Sequence, residues 1–178
     1  RVVVVGAGFI GAEVAASCRL RGLEVLMLDP LPTPLAASVG TAIGEVVGAL
    51  HRDHGVALRM GVGVAGFEGG ARLERVRLSD GSAVPADVAV VGIGVAPCTE
   101  WLASSGIELH DGVVCDATAA TSLPGVVAVG DVARFENPLF GTSMRVEHWT
   151  HAVEQAGVAA ECLLAEPGQA TPFAPAPF

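Results

Sequence analysis

Hydrophobic and polar positions in the first thirty residues follow two different periods. An apolar run, Val2 to Val5, precedes a glycine-rich stretch and a helical pattern that continues to Gly22. A second apolar run, Val25 to Leu28, is closed by Asp29. Short apolar runs bounded by turn residues are typical of buried parallel strands. The pattern therefore predicts a strand, a glycine turn, a helix and a second strand that ends in an acid.

The next thirty residues continue this alternation of helix and strand. Prolines at positions 30, 32 and 34 fix the exit from the second strand because proline cannot continue a helix. A helix is predicted from about Thr41 to His54, where Gly55 ends it. Val56 to Met60 is predicted to be a third parallel strand. The helix's predicted apolar stripe comprises Ile43, Val46, Val47 and Leu50.

Beyond residue 60 the period changes to that of short antiparallel strands. Gly69-Gly70 and Asp80-Gly81 are turn signals, and they predict a meander. Its predicted strands are Val62 to Phe67, Leu73 to Leu78, and Ala83-Val84. The continuously apolar run from Asp87 to Gly92 then predicts a strand that is buried on both faces. The fold class is therefore α/β: a Rossmann-like parallel sheet whose last crossover is a β-meander instead of a helix.

The second half of the chain is predicted to hold shorter elements. A short helix is expected around Thr99 to Ser104, with Trp101 packing against the protein. A long helix is expected from about Val146 to Leu164, with Trp149 in its first turn. The remaining predictions are strands at Val113 to Asp116 and Val126 to Val129, a turn at 121–125, a loop at 137–141, and helix positions for burial at Val153, Ala156, Val158, Ala159 and Leu163.

The glycines after the first strand have the spacing of a dinucleotide-binding turn. Gly6 permits the tight turn, Gly8 lets backbone approach a pyrophosphate, and Gly11 lets the helix lie near the sheet. The helix N-terminus favours negative charge, and Asp29 can accept both hydroxyls of an adenosine ribose. These features predict a dinucleotide site. A glycine-rich strand–helix turn without a ligand is the alternative.

The carboxylate at position 29 also bears on which dinucleotide binds. NADP would place a 2′-phosphate beside Asp29, and two charges about 4 Å apart repel by roughly 1 to 4 kcal/mol. A site for that phosphate needs a nearby arginine or lysine, and residues 30–50 contain neither. We therefore predict NAD(H) in preference to NADP(H).

A second glycine loop, Gly92 to Pro97, follows the last predicted parallel strand. Ligands of open α/β sheets bind beyond the carboxyl ends of the strands. We therefore expect this loop and the first one to line the same crevice. An ordinary loop is the alternative.

Charge and cysteine spacing narrow the possible partners. The net charge is −9 and all ten basic residues are arginine, so nucleic acid is an unexpected partner. The four cysteines have no metal or dithiol spacing, and no apolar run is long enough to cross a bilayer. We expect reduced thiols, a cytoplasmic location and no membrane association. Because the chain begins inside a strand without methionine, we also expect it to be part of a longer protein.

Three sequence blocks carry a family resemblance. They are 4–16, VVGAGFIGAEVAA; 90–97, VVGIGVAP; and 121–133, TSLPGVVAVGDVA, which 145–149, RVEHW, follows. The chain resembles the FAD-dependent pyridine nucleotide oxidoreductases, and within them the group of ferredoxin, rubredoxin and putidaredoxin reductases. The resemblance implies a glutathione-reductase-type NAD-binding domain at residues 1–111 and an incomplete FAD-domain segment at 112–178.

The resemblance also implies roles for residues at matching positions. Glu13 would face the nicotinamide carboxamide and Asp29 the adenosine ribose, while Trp149 would lie beside the stacked nicotinamide and flavin. The pyrophosphate would be held by Gly6, Ala7, Gly8, Phe9, Ile10 and Gly11, and the nicotinamide half would be covered by Gly92, Ile93 and Gly94. FAD would be contacted by Gly130, Asp131, Val146, Glu147, His148 and Trp149.

The implied activity is electron transfer from NADH through FAD to a small iron–sulfur protein of the ferredoxin or rubredoxin type. We expect this chain to bind NADH but not to hold FAD firmly, because the first FAD-binding glycine motif is missing. A stand-alone NAD(H)-binding module without turnover and a fragment of a disulfide reductase of the same superfamily are the alternatives. A short-chain dehydrogenase is excluded, since it needs a tyrosine–lysine pair and the chain has neither residue.

Two clusters are given ordinary interpretations. His148 and His151 stand near Glu147 in a spacing that could mimic a metal site, but no fourth ligand suggests itself. We predict no metal and expect the two histidines to face solvent or flavin. Arginines at 72, 75 and 77 are expected to lie on a solvated hairpin face.

Overall fold

A computed structural model describes residues 1–166 and 169–174 of the chain. The chain divides into two compact units, one from Arg1 to Gly94 and one that begins at Val95. The predicted boundary between residues 111 and 112 concerns which cofactor each part serves, and it stays a prediction. Within the described residues, no helix is both long and apolar enough to span a membrane.

The first unit is an α/β layer structure, as predicted. Its elements are β1 (Val2–Val5), α1 (Phe9–Leu20), β2 (Val25–Asp29), α2 (Ala36–Asp53), β3 (Val56–Met60), β4 (Val64–Gly69), β5 (Leu73–Leu78), β6 (Ala83–Pro85) and β7 (Val88–Val91). The parallel sheet has the strand order β3-β2-β1-β7, and the crossover into β7 is the antiparallel meander β4-β5-β6.

Strand β1 is the centre of this unit because it is buried on both faces. Val2 and Val4 pack with Ala15 of α1 on one face. Val3 and Val5 pack on the other face in a cluster that contains Val62, Val76 and Leu78. Helices therefore cover one side of the sheet and the meander covers the other. This arrangement places the carboxyl end of β1 in the middle of the sheet edge.

Helix α2 differs from its prediction in extent and orientation. It begins at Ala36, and a kink at Gly40, with φ 78°, separates an extra first turn from the predicted helix. Its buried residues are glycines, Gly44 and Gly48. The predicted stripe was wrong at three positions: Ile43, Val46 and Leu50 are exposed and Val47 is half-buried. The apolar periodicity located the helix correctly, but the face that packs against the protein is the one that carries Gly44 and Gly48.

Strand β7 was predicted to be buried on both faces, and this was wrong. The described chain pairs it only with β1, so it lies at the edge of the sheet. Val88 and Val91 are consequently about half exposed, at 51% and 52%. Trp101 also departs from its prediction, because it does not pack into the protein: its ring is exposed and its Nε1 donates a hydrogen bond to the Cys98 carbonyl oxygen.

The second unit holds a small mixed sheet and one long helix. Strand β8 (Val113–Val114) pairs in parallel with β9 (Ala133–Asn137), which forms a hairpin with β10 (Thr142–Met144). The predicted loop at 137–141 is the turn of this hairpin. The predicted strand at 126–129 was wrong, since its pairing in the described chain is a single bridge from Val127 to Ala120.

Helix α3 (Trp149–Leu164) begins three residues later than predicted. Its buried residues are His151, Gln155 and Ala159. Of the predicted buried positions, Ala159 was right and Val158 is half-buried, whereas Val153, Ala156 and Leu163 are exposed. Two polar side chains occupy the inner face because they meet specific partners in this unit, which the apolar pattern could not indicate.

Candidate functional site

A crevice of about 320 Å³ lies at the carboxyl ends of β1, β2 and β7. Both glycine loops line it, through residues 6–8 and 92–94, together with Asp29. Its remaining wall is formed by Pro30, Leu31, Thr33, Leu35, Ala36, Ala37 and Ser38. The expectation that the two loops share one crevice is therefore confirmed, as is their position at the strand ends.

The glycines after β1 are required for different reasons. Gly6 has φ +98°, and a Cβ there would overlap the carbonyl oxygen of Gly92. A Cβ on Gly11 would overlap the carbonyl oxygen of Gly6. Gly8 has an ordinary φ of −73°, and a Cβ there would meet nothing within 4 Å. Gly6 and Gly11 therefore let backbone segments approach each other, whereas Gly8 leaves space open.

Asp29 joins the first glycine loop to the end of β2. One carboxylate oxygen accepts a hydrogen bond from the Ala7 amide at 2.7 Å, and the other accepts from the Leu31 amide at 2.8 Å. A carboxylate oxygen can accept more than one hydrogen bond. Asp29 can therefore shape the loop and still receive two ribose hydroxyls, one on each oxygen.

The N-terminus of α1 meets the first glycine loop. Gly8 is the N-cap residue, so no capping side chain covers the first turn of the helix. Phe9 and Ile10 are exposed in this turn, and Glu13 is exposed one turn later. A Cβ on Gly92 would lie 3.6 Å from Ile10 Cγ2, so the helix start and the second loop are in contact. Amide groups at such a helix start favour an anionic ligand group.

A second cluster of predicted site residues lies in the second unit. Gly130 and Asp131 belong to the 3₁₀ turn Gly130–Val132, which packs against α3. Asp131, Glu147 and Trp149 are exposed, and Val146 is half-buried. His148 is also exposed and exchanges a hydrogen bond with Thr150 Oγ1 at 2.7 Å. Their assignment to FAD stays a prediction.

Two side chains that the sequence left without a role hold this turn. Gln155 is 1% exposed, and its Oε1 accepts a hydrogen bond from the Gly130 amide at 2.8 Å. Arg145 Nη1 donates to the Asp131 carbonyl oxygen at 2.8 Å. The sequence contained one indication of the burial of Gln155: it lies four positions from both His151 and Ala159, so the three residues share one face of the helix. In the structure this is the inner face.

The second unit also contains a larger cavity, of about 510 Å³, beside the end of α3. Its lining contains two carboxylates, Asp116 and Glu166. Asp116 Oδ1 accepts hydrogen bonds from the Thr118 and Ala120 amides. This side chain shapes the local turn. We therefore place the candidate nucleotide site at the smaller crevice, where glycine backbone and Asp29 converge.

His151 was predicted to face solvent or flavin, and this was wrong. It is 1% exposed, stacks on Phe135 at 5.3 Å and meets the edge of Phe173 at 5.2 Å. Its ring nitrogens have no hydrogen-bond partner within the described structure. Burial lowers the pKa of His151, with a smaller contribution from His148, against the opposing charges of Glu154 and Asp131. The described residues contain no cluster suited to a metal ion.

The buried imidazole makes stability depend on pH. Because the pKa of His151 is lower in the folded chain, the unfolded chain binds more protons, and stability falls as pH drops below about 6.5. The loss is at most about 1.4 kcal/mol per pH unit. His151→Leu should lose less stability between about pH 7.5 and 5.5 in urea denaturation. The control is exposed His110→Gln, and equal slopes in all three proteins would contradict the expectation.

The known proteins that this chain resembles include several reductases with similar names. Putidaredoxin reductase of Pseudomonas putida is 36% identical over 159 residues, which are 88% of this chain and 38% of the relative. The ferredoxin–NAD(+) reductase component of an anthranilate 1,2-dioxygenase system from Burkholderia cepacia is 37% identical, over 92% of this chain and 40% of the relative. A ferredoxin reductase structure from Rhodopseudomonas palustris matches with a TM-score of 0.87 at 39% identity, covering 97% of this chain and 42% of that one.

These matches cover most of this chain but less than half of each relative. The chain spans about two fifths of the length of these relatives, at 38% to 42%. Residues 1–156 match the family model described as pyridine nucleotide-disulphide oxidoreductase. These residues include β1, both glycine loops and the start of α3. The chain belongs to the pyridine nucleotide-disulphide oxidoreductase family.

Proposed function

We propose that this chain is the NADH-binding portion of a flavin-dependent reductase that supplies electrons to a small iron–sulfur protein of the ferredoxin or rubredoxin type. The observation that carries the proposal is the crevice in which both glycine loops and Asp29 converge. The named relatives, a putidaredoxin reductase and a ferredoxin–NAD(+) reductase, support the choice of electron acceptor.

The crevice favours NADH over NADPH. Its lining residues include one carboxylate, Asp29, and none of the chain's ten arginines, all of which lie within the described residues. A 2′-phosphate beside Asp29 would meet a like charge without a compensating cation, at a cost of roughly 1 to 4 kcal/mol. The 2′-hydroxyl of NADH would instead donate a hydrogen bond to the carboxylate. The N-terminus of α1 is suited to hold the pyrophosphate, with Gly6 to Gly11 around it.

The second unit would contribute to an FAD site. Asp131 would approach the ribityl–phosphate part, and the stretch Val146 to Trp149 would approach the flavin ring, as the family resemblance implies. FAD would accept a hydride from NADH and release the electrons one at a time to the partner. The NAD domain would occupy residues 1–111 and the FAD segment 112–178. The cytoplasm suits the four cysteines, which are all free thiols.

Isothermal titration with NADH, NADPH and FAD tests this proposal. We expect NADH to bind at least about fivefold more tightly than NADPH, the lower end of the calculated repulsion. FAD should bind weakly to this chain, because much of its site would come from outside residues 1–178. Equal affinity for the two nicotinamide nucleotides would contradict the NADH assignment, and tight stoichiometric binding of FAD would contradict the division of the cofactor site.

The electron acceptor needs a separate measurement on the full-length protein. NADH-dependent reduction of a ferredoxin, followed by the absorbance of its cluster, should be faster than reduction of a low-molecular-weight disulfide. A preference for the disulfide would support the alternative, a disulfide reductase of the same superfamily. Absence of turnover with either acceptor, together with NADH binding, would support a stand-alone binding module.

A further inference from the structure

Arg145 lies at the centre of a charged network just before α3. Its side chain is 10% exposed. Nη1 donates to Glu147 Oε1 at 2.7 Å as well as to the Asp131 carbonyl oxygen at 2.8 Å. Its Nη2 and Nε atoms lie 3.4 Å from the Asp111 carboxylate. One guanidinium therefore joins three backbone segments that are distant in sequence, and its planar donors make this geometry specific.

Gln155 attaches the same 3₁₀ turn from the other side. Its Oε1 accepts from the Gly130 amide, whereas Arg145 donates to the neighbouring Asp131 carbonyl. Gly130 has φ +70°, and a Cβ there would lie 3.3 Å from Ala152 Cβ, so the turn lies close to α3. The turn is thus held at one backbone donor, the Gly130 amide, and at one backbone acceptor, the Asp131 carbonyl oxygen. The two side chains that hold it come before and after Trp149 in the sequence.

We propose that Arg145 and Gln155 are positioning residues for the flavin: together they fix the turn at Asp131 relative to the stretch Val146 to Trp149. This inference rests on the proposed function, in which both segments contact FAD. Neither side chain has to touch the cofactor. Their effect is to hold two contact segments at a constant separation, so that the binding geometry exists before the cofactor arrives.

Arg145 also has an electrostatic effect that Gln155 lacks. It neutralises Glu147, which would otherwise place a free carboxylate beside the flavin ring. A negative charge there disfavours the added electrons of the reduced flavin. Loss of Arg145 should therefore make the midpoint potential more negative, whereas loss of Gln155 should leave the potential close to that of the wild type.

Arg134 provides a matched control for charge and burial. It donates to the Asp111 carboxylate at 3.0 Å and to the Ser143 carbonyl oxygen at 3.1 Å. Its side chain is 19% exposed. It shares Asp111 with Arg145, but within the described part of the chain it forms no hydrogen bond or ion pair with Asp131 or Glu147. Arg134→Gln therefore removes a similar cation from the same network without releasing the turn.

The experiment compares Arg145→Gln, Arg145→Lys, Gln155→Met and Arg134→Gln in the full-length, flavin-loaded reductase. Arg145→Gln and Gln155→Met should weaken FAD binding at least about tenfold, the effect of losing one buried hydrogen bond. Both should change the visible circular dichroism of the flavin. Arg145→Lys should recover part of the affinity, since lysine keeps the charge but not the planar fork. Arg134→Gln should match the wild type.

The outcomes separate this inference from the proposed function. If the wild type holds no FAD, the proposed function fails. If the wild type holds FAD and Arg145→Gln matches Arg134→Gln in affinity, dichroism and potential, the positioning role of Arg145 is overturned. Should Arg145→Gln fail to fold, Gln155→Met decides, because it leaves every ion pair in place. Wild-type affinity and dichroism in Gln155→Met would then overturn the proposal.

Discussion

Replacing Asp29 with alanine is expected to lower the affinity for NADH by about tenfold or more. The carboxylate would contribute charge-assisted hydrogen bonds to the ribose, each worth roughly 1.5 to 3 kcal/mol, and a factor of ten corresponds to about 1.4 kcal/mol. The substitution also leaves the Ala7 amide without its partner at 2.7 Å, so the glycine loop loses its attachment to β2. Titration calorimetry with NADH measures the change.

Two comparisons sharpen the Asp29 experiment. Asp29→Ala should narrow the preference for NADH over NADPH, because it removes the charge that repels the 2′-phosphate. Asp53→Ala removes an exposed carboxylate at the end of α2, and its affinities should equal those of the wild type. An NADH affinity for Asp29→Ala within twofold of the wild type would show that the ribose lies elsewhere.

Replacing Gly11 with alanine should destabilise the first unit by about 3 kcal/mol or more, at the upper end of overpacking effects. The added methyl group would overlap the Gly6 carbonyl oxygen. Gly6 cannot move away easily, because its amide donates to Leu28 at 2.8 Å and its Cα faces the Gly92 carbonyl. A fall of about 10 °C or more in the thermal unfolding midpoint is the expected measurement.

Gly8→Ala is the matched substitution at the start of the same helix. It is expected to lower NADH affinity without lowering stability, the opposite of the effect expected for Gly11→Ala. Position 8 has φ −73° and open space around it, so alanine should keep the unfolding midpoint close to the wild-type value. The methyl group would occupy space that the pyrophosphate needs, so NADH affinity should fall. If Gly8→Ala unfolds the protein and Gly11→Ala does not, the roles assigned to the two glycines are reversed.

The positions of the parallel strands and of the tight turns were predictable from sequence. Their signals are local: the apolar run of β1, the turn glycines of the meander and the helical pattern of α1 each constrain their own residues. The boundaries of β3 and β5 agree with the prediction because turn residues stand on both sides of each strand. Asp29 and the two glycine loops were found for the same reason.

Burial of faces and long-range pairing were less predictable. Whether Val46 or Gly44 packs inward depends on how closely α2 approaches residues 33 and 34, which local pattern does not contain. His151 is buried because Phe135 and Phe173 enclose it, and those residues are distant in sequence. The hairpin of β9 and β10 was not predicted, because its connecting residues contain no glycine before Gly141 to indicate a tight turn. The roles of Arg145 and Gln155 were not predicted because their partners in the turn, Asp131 and Gly130, lie 14 and 25 positions away in the sequence.

The bare inner face of α2 has a consequence for how coenzyme preference could change over evolutionary time. A Cβ at Gly44 would overlap Thr33, which lines the crevice, and the Pro34 carbonyl oxygen. The position of Thr33 in the crevice wall is thus limited by Gly44, a residue that is not among those lining the crevice. Substitution of Gly44 could therefore change coenzyme selectivity while every residue that lines the crevice stayed the same.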